Sequence, residues 1–185
     1  MINGELVVDN FAGGGGASTG IEMATGYSVD IAINHDPEAI RICYGMYEST
    51  YYILDVLYTK EPMEVTEPAT AQMLTNNNVG NALIESNNGG RGFSRNVIRE
   101  LKSLGNTHTK IQWFFQSKNK TSRILSNSTG VMQNVLFPVN WEDRWPDFAE
   151  AIRKYQKEGK NAHDDAPDAL TGVYENDKPK GTWLV

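Results

Sequence analysis

The sequence is short of cysteine and of long apolar runs, and each shortage excludes a class of protein. Cys43 is the only cysteine in the 185 residues, so the chain has no internal disulfide and no multi-cysteine zinc site. No apolar run approaches the ~20 residues that cross a bilayer, which argues against a membrane partner. Residues 1–5 lack the basic start and apolar stretch of a signal peptide, so we expect a cytoplasmic location.

The chain also lacks an excess of positive charge. It carries 17 Lys and Arg against 23 Asp and Glu, for a net charge of −6. This balance argues against broad, non-specific nucleic-acid binding by the chain alone. It leaves room for a metal-dependent nuclease, because bound cations offset the acids that hold them. A DNA substrate would then imply weak affinity or a basic partner domain.

Local patterns divide the chain into two sections. Residues 1–43 contain a strand at 5–8, a glycine-rich loop at 11–16 and a second strand at 29–34, which together favour a βαβ-like unit. Residues 44–176 begin with a tyrosine-rich hairpin and continue with alternating helices and strands, and residues 177–185 form a tail. The predicted elements after the hairpin are helices at 66–76, 94–104, 120–133, 146–158 and 165–173 and strands at 81–86 and 110–115. The fold class predicted is α/β, with a mixed sheet flanked by helices.

Acidic side chains cluster near the end of the chain and at one strand end upstream. His163, Asp164, Asp165 and Asp168 fall within six residues, and Asp164 and Asp168 would share one helix face. Glu85 follows two apolar residues of a predicted strand and precedes a glycine-containing turn. Two-metal phosphodiester hydrolysis needs carboxylates that converge from separate elements. A plain helix start explains the first cluster as well, since Asp caps helices and acids favour their first turn.

Segments 51–64, 82–94 and 163–170 resemble the nuclease domain of the large terminase subunit of tailed phages, over residues ~44–176. The resemblance implies an RNase H-like fold and Mg²⁺- or Mn²⁺-dependent cleavage of double-stranded DNA during packaging. It implies other phage packaging proteins as partners, in a phage-infected or prophage-bearing bacterial cell. It also implies catalytic metal-binding acids at Glu85, Asp164 and Asp165, supported by Asp168 and His163.

The sequence departs from that family in its opening section. The family supplies a further catalytic aspartate from its first strand, and here that segment is replaced. Asp30, Asp36 and Asp9 are the candidates for this role, so an active nuclease and an inactive domain both stay open. No G-x-x-x-x-G-K-[ST] motif occurs, so packaging by this chain alone is not expected.

Residues ~5–40 resemble the first motif of cytosine-5 DNA methyltransferases, especially phage-borne ones. The resemblance implies an S-adenosylmethionine site that uses Phe11, Gly13 and Gly15 of the loop and Asp36 after the next strand. That family's nucleophile is a cysteine that follows a proline, whereas Cys43 follows Ile42, so methyl transfer is not expected. The alternatives are therefore an S-adenosylmethionine-binding fragment or a non-catalytic recombinant remnant.

Basic residues provide one further candidate surface. A DNA backbone could be followed by six of them, although solvated helix faces explain the same residues equally well. The six are Lys118, Lys120, Arg123, Arg91, Arg95 and Arg99.

Overall fold

The computed structural model describes residues 8–9, 31–32, 39–85, 90–156, 161 and 164–176. Within them the protein is α/β, with a small mixed sheet flanked by helices, as the sequence predicted. The chain forms two compact units, residues 1–39 with 60–117 and residues 40–59 with 118–185. None of the described helices is long and apolar enough to span a membrane. The predicted domain boundary after residue 43 stays a prediction.

Seven strands and six helices are described along the chain. The strands are β1 (Val8–Asp9), β2 (Ile31–Ala32), β3 (Ala39–Tyr47), β4 (Thr50–Thr59), β5 (Asn81–Glu85), β6 (Lys110–Phe114) and β7 (Val135–Leu136). The helices are α1 (Met63–Asn76), α2 (Gly90–Ser103), α3 (Lys120–Asn134), α4 (Trp141–Arg144), α5 (Pro146–Lys154) and α6 (Asp165–Asn176).

In the first unit, α2 connects two parallel strands. β5 and β6 pair in register from Asn81 opposite Lys110 to Glu85 opposite Phe114. The helix buries Phe93, Val97 and Leu101, whose spacing of four residues places them on one face. α1 packs against α2, so the first unit has its own apolar interior.

A buried asparagine fixes the turn that follows α2. The side-chain amide of Asn106 donates to the hydroxyls of Thr75 at 3.0 Å and Thr109 at 2.9 Å. Its side-chain oxygen accepts from the backbone N–H of Thr109 at 3.1 Å. Gly105, at a φ of 71°, supplies the left-handed residue that ends the helix. Asn106 thereby ties the end of α1 to the start of β6.

Two short strands are described near the N-terminus. β1 and β2 pair in parallel, with Val8 opposite Ile31 and Asp9 opposite Ala32. Parallel pairing agrees with the predicted βαβ-like opening, since parallel neighbours need a crossover connection. The predicted glycine loop and its helix lie outside the described residues.

The second unit is built on a hairpin. β3 and β4 are neighbours joined by Glu48 and Ser49, and a two-residue connection makes them antiparallel. Glu48 takes a φ of 54°, the left-handed conformation that such tight turns require. β7 pairs with the other edge of β4 in parallel, with Tyr51 opposite Val135, which makes this sheet mixed. The predicted hairpin is thus present, and β3 begins three residues earlier than expected.

Alternating burial along β4 places one face of the hairpin in the core of the second unit. Tyr51 and Ile53 are buried, whereas Tyr52 and Leu54 between and after them are exposed. The buried face meets α5 and α6, which contribute Phe148, Leu170 and Val173 to one apolar cluster. The ring of Phe148 is completely buried.

Several element boundaries differ from the expectation. α1 was expected to start near Pro68 but starts at Met63, because the Pro62 carbonyl already accepts from the N–H groups of Val65 and Thr66. α5 ends at Lys154 rather than at residue 158, because Tyr155 has an extended backbone. β7 and α4 were not predicted, since runs of two and four residues carry no readable periodicity.

Candidate functional site

The predicted acids fall into two separate sets. Glu85 is an exposed residue at the end of β5, in the first unit, and Asp9 ends β1 in the same unit. Asp164, Asp165 and Asp168 lie at the start of α6, in the second unit. The remaining predicted site residues lie outside the described residues; they are His163, Asp30, Asp36, Phe11, Gly13 and Gly15.

Backbone geometry at the start of α6 favours the acids that lie there. The backbone N–H of Asp168 donates to the carbonyl of Asp164 at 3.1 Å, so Asp164 accepts the first helical hydrogen bond. Pro167 fits this first turn, where a missing N–H costs nothing. Carboxylates are favoured at this end of the helix by the orientation of its peptide dipoles. The helix-start interpretation of this stretch therefore agrees with the backbone geometry.

Two of these acids share one cation. The ammonium of Lys120 donates to Asp164 Oδ1 at 3.1 Å and also to Asp165 Oδ1. Lys120 is the first residue of α3, whose start is fixed by Asn119 Oδ1, an acceptor for the N–H of Ser122 at 3.1 Å. Burial alone would lower the pKa of Lys120, but the contacts with Asp165 and Asp164 outweigh it and raise that pKa. The carboxylates thus converge on one positive charge.

A second cation of α3 holds the next acid of α6. Arg123 Nε donates to Asp168 Oδ1 at 2.9 Å, and its Nη2 donates to the Asp168 carbonyl at 3.2 Å. The Arg123 side chain is only 3% exposed, and its Nη1 lies 3.5 Å from Glu175 Oε2. Burial raises the pKa of Asp168, and Arg123 only partly offsets that effect. Asp168 therefore has a structural partner, and its supporting role at a metal stays a prediction.

The two helices approach each other closely near their other ends. A Cβ atom on Gly130 of α3 would overlap the ring of Tyr174 on α6. The ring of Tyr174 also meets Tyr51 of β4 edge to face, at 6.0 Å between centroids. The close packing of α3 on α6 therefore keeps Lys120 and Arg123 beside the acids.

Tyr155, which follows α5, adds one more polar group beside the acids. Within the described part of the chain its buried hydroxyl has no hydrogen-bond partner. Burial raises the pKa of Tyr155, and the charges of Asp164 and Asp168 raise it further. The phenol therefore stays protonated and is available as a donor.

The donor set at the start of α6 suits a hard divalent cation. Among the described residues no group of three or more His, Cys, Asp or Glu side chains is placed to hold a metal ion. Mg²⁺ is commonly bound by one or two carboxylates, with water and phosphate oxygens filling its remaining positions. Asp164 and Asp165 match that requirement, since their oxygens already meet at one cation.

The structure separates the six predicted basic residues into two groups. Lys118, Lys120 and Arg123 are ion-paired with acids of the second unit, Lys118 with Glu175 at 2.5 Å. Arg91, Arg95 and Arg99 lie exposed on α2 in the first unit.

The pairing of Lys120 and Arg123 was missed from the sequence. Its available signal was a matching spacing, since Lys120 and Arg123 are three apart, as are Asp165 and Asp168. Two packed helices that carry opposite charges at the same spacing can pair those charges one to one.

Comparison of the chain with protein-family models, with curated proteins and with solved structures gave no significant match. The terminase and methyltransferase resemblances therefore remain predictions that rest on short segments of the sequence.

Proposed function

We propose that this chain is a metal-dependent DNA endonuclease domain of the terminase large-subunit type. The observation that supports this most is the convergence of Asp164 and Asp165 on a single cation at the start of α6. Two carboxylate oxygens that meet at one positive charge offer the ligands preferred by Mg²⁺ or Mn²⁺. Double-stranded DNA is the substrate in this proposal, and other packaging proteins are its partners.

Asp164 and Asp165 would hold the metal, which supplies an activated water for phosphodiester hydrolysis. The metal would take the place of the Lys120 ammonium between the two carboxylates, and the displaced ammonium would leave a positive charge beside the site that favours the approach of a phosphate. Arg123 and Asp168 keep α3 and α6 together, so the two carboxylates stay side by side with Lys120 near them. Glu85 stays a predicted further ligand.

An RNase H-like arrangement belongs to the same proposal. A hairpin followed by helix, strand, helix, strand and helix is present, from β3 through α3. The order places Glu85 at a strand end and Asp165 at the start of the last described helix. The first-strand acid remains the condition for activity, and of its three candidates Asp9 alone belongs to a described strand.

Nicking of supercoiled plasmid with Mn²⁺ tests this function. We expect the full chain to nick the plasmid and Asp164→Asn/Asp165→Asn to reduce the rate at least about tenfold. Asp147→Asn is the matched control, because Asp147 is an exposed acid in the first turn of α5. Its rate should stay unchanged. Absence of metal-dependent nicking by the parent chain would contradict the proposal.

Metal binding gives an independent measurement. Calorimetry with Mn²⁺ should detect a site in the parent chain and in Asp147→Asn, and a much weaker one in Asp164→Asn/Asp165→Asn. The nicking rates of Asp9→Ala, Asp30→Ala and Asp36→Ala should then identify the first acid. A variant among these three that loses nicking but keeps α/β circular dichroism holds that role.

One observation favours a second candidate. The parallel pairing of β1 with β2 is the arrangement expected for the S-adenosylmethionine-binding fragment. Calorimetry with S-adenosylmethionine tests it, with Asp36→Ala as the variant expected to weaken binding. Saturable binding of S-adenosylmethionine without metal-dependent nicking would favour this candidate over the nuclease.

A further inference from the structure

The exposed face of α2 carries a row of positive charges. Arg91, Arg95, Arg99 and Lys102 are all exposed, and their spacings of four, four and three residues place them on one side of the helix. The side chain of Arg99 is 71% exposed. At 1.5 Å per residue the row is about 16 Å long. We call these four residues the α2 basic row.

The stability of the helix explains Lys102, a cation in the last turn where the helix dipole favours it, but not the three arginines of this row. Like charges four residues apart destabilise a helix by about 0.2–0.5 kcal/mol per pair. No acid lies in the first turn, and Arg91 there opposes the helix dipole. Glu100 is the only acid within α2, and it contacts Arg99 at 3.5 Å. Among the described residues Arg91, Arg95 and Lys102 form no ion pair.

We propose that the α2 basic row is a docking surface for the phosphate backbone of duplex DNA. Three of its four cations are arginines, whose planar guanidinium groups bind phosphate through two parallel hydrogen bonds. Successive phosphates of one strand rise 3.4 Å along the duplex axis while the strand winds around it, so a straight row about 16 Å long can contact more than one phosphate. The choice of DNA rests on the proposed function, whereas the surface itself is independent of the metal-binding acids.

A membrane surface fits the same helix poorly. Helices that bind at a bilayer surface insert a free apolar face between the lipids. The apolar face of α2 is already buried, since Phe93 is 4% exposed, Val97 0% and Leu101 3%. The basic row therefore presents charge without an apolar anchor, which suits a phosphodiester backbone.

Fluorescence anisotropy with a labelled duplex, in EDTA and at several salt concentrations, tests the surface without cleavage. We expect Arg95→Gln/Arg99→Gln to weaken binding by about tenfold or more and to reduce the salt slope by about 1.8. The control is Arg153→Gln/Lys154→Gln on α5, which removes the same charge from side chains 60% and 69% exposed. This control should bind as the parent does.

A second variant, Arg91→Gln/Lys102→Gln, should weaken binding in the same way, and it provides the test if the first variant fails to fold. Equal losses in the α5 control, or parent-like binding by both α2 variants, would overturn the proposal. Binding to phosphatidylserine vesicles without binding to the duplex would also overturn it. Duplex binding in EDTA combined with no nicking in Mn²⁺ would leave the α2 surface standing and refute the nuclease.

Discussion

α2 and α3 both carry cations at helical spacing, yet the two helices use them in opposite ways. On α3, Lys120 and Arg123 contact Asp164, Asp165 and Asp168, and the guanidinium of Arg123 is buried. On α2, Arg91 and Arg95 point to solvent. The comparison shows that a partner helix, rather than the cation itself, decides whether a charge supports the fold or remains on the surface.

The difference has an energetic consequence. A buried ion pair is costly to form because both ions lose their water, which agrees with the raised pKa of Asp168. Once formed, it is even more costly to break, since the remaining ion is left buried without a counter-charge. An exposed arginine is hydrated in the folded and unfolded chain alike, so its removal should change little.

The largest expected effect is that of Arg123→Met. Removing this guanidinium leaves the buried Asp168 carboxylate unpaired, which should lower the free energy of unfolding by about 3–5 kcal/mol. The loss should be smaller in acid, because a protonated Asp168 needs no counter-charge. Chemical denaturation followed by circular dichroism measures the loss of stability at neutral pH and its reduction at acidic pH.

The double variant Arg123→Met/Asp168→Leu sharpens the interpretation. An apolar pair of similar volume often replaces a buried ion pair at little cost, so much of the lost stability should return. If the double variant is as unstable as the sum of its single variants, Arg123 stabilises the fold by packing rather than by charge.

Two helical glycines extend the comparison to packing. Gly130→Ala should lower the free energy of unfolding by about 1–2 kcal/mol. The new methyl group displaces the ring of Tyr174, and the cost of that displacement exceeds the gain in helix propensity. Gly92→Ala on α2 meets nothing within 4 Å and should stabilise by up to about 1 kcal/mol. Thermal unfolding of both variants gives the sign, and stabilisation by Gly130→Ala would contradict the close helix approach.

Glu67 of α1 provides a pH-dependent case in the first unit. It is 8% exposed, its Oε1 accepts from Asn96 at 2.9 Å, and burial raises its pKa. Its contribution to stability is therefore present below its unfolded pKa of about 4.3 and is lost as pH rises through its folded pKa.

Glu67→Gln removes this dependence while keeping the acceptor for Asn96. The stability of the variant relative to the parent should increase as pH rises from about 4 to 7. Glu48→Gln, at an exposed hairpin turn, is the control and should show no such trend. Denaturation midpoints of the parent and both variants across this pH range measure the trend. A stability of Glu67→Gln relative to the parent that falls as pH rises would contradict the prediction.

The smallest expected effect is that of Arg95→Gln/Arg99→Gln on stability. These side chains are exposed, so the free energy of unfolding should change by less than about 0.5 kcal/mol, or rise slightly as like-charge repulsion is removed. Denaturation beside Arg123→Met compares the two helices directly. A loss comparable with that of Arg123→Met would show that α2 charges also hold the fold together.

Much of the local structure was predictable because its causes lie within a few residues. The hairpin around Glu48 and the helix closed by Gly105 follow from alternating apolar residues and from a turn conformation that short segments encode. The early start of α1 was missed, because the Pro62 carbonyl rather than a capping side chain begins that helix. The acids at the start of α6 were recognised, whereas their cation partners were not.

The sequence by itself determined the longer helices and strands and the gathering of Asp164, Asp165 and Asp168 at a helix start, but not β7, α4, the start of α1 or the end of α5. Only the tertiary structure decided that Lys120 meets Asp165 across 45 residues, while among the described residues Arg91, Arg95 and Lys102 of α2 form no ion pair. Periodicity and capping act within one or two turns, but the partner of a charge depends on which helices pack together. That packing depends on close approaches such as Gly130 against Tyr174, which no local pattern records.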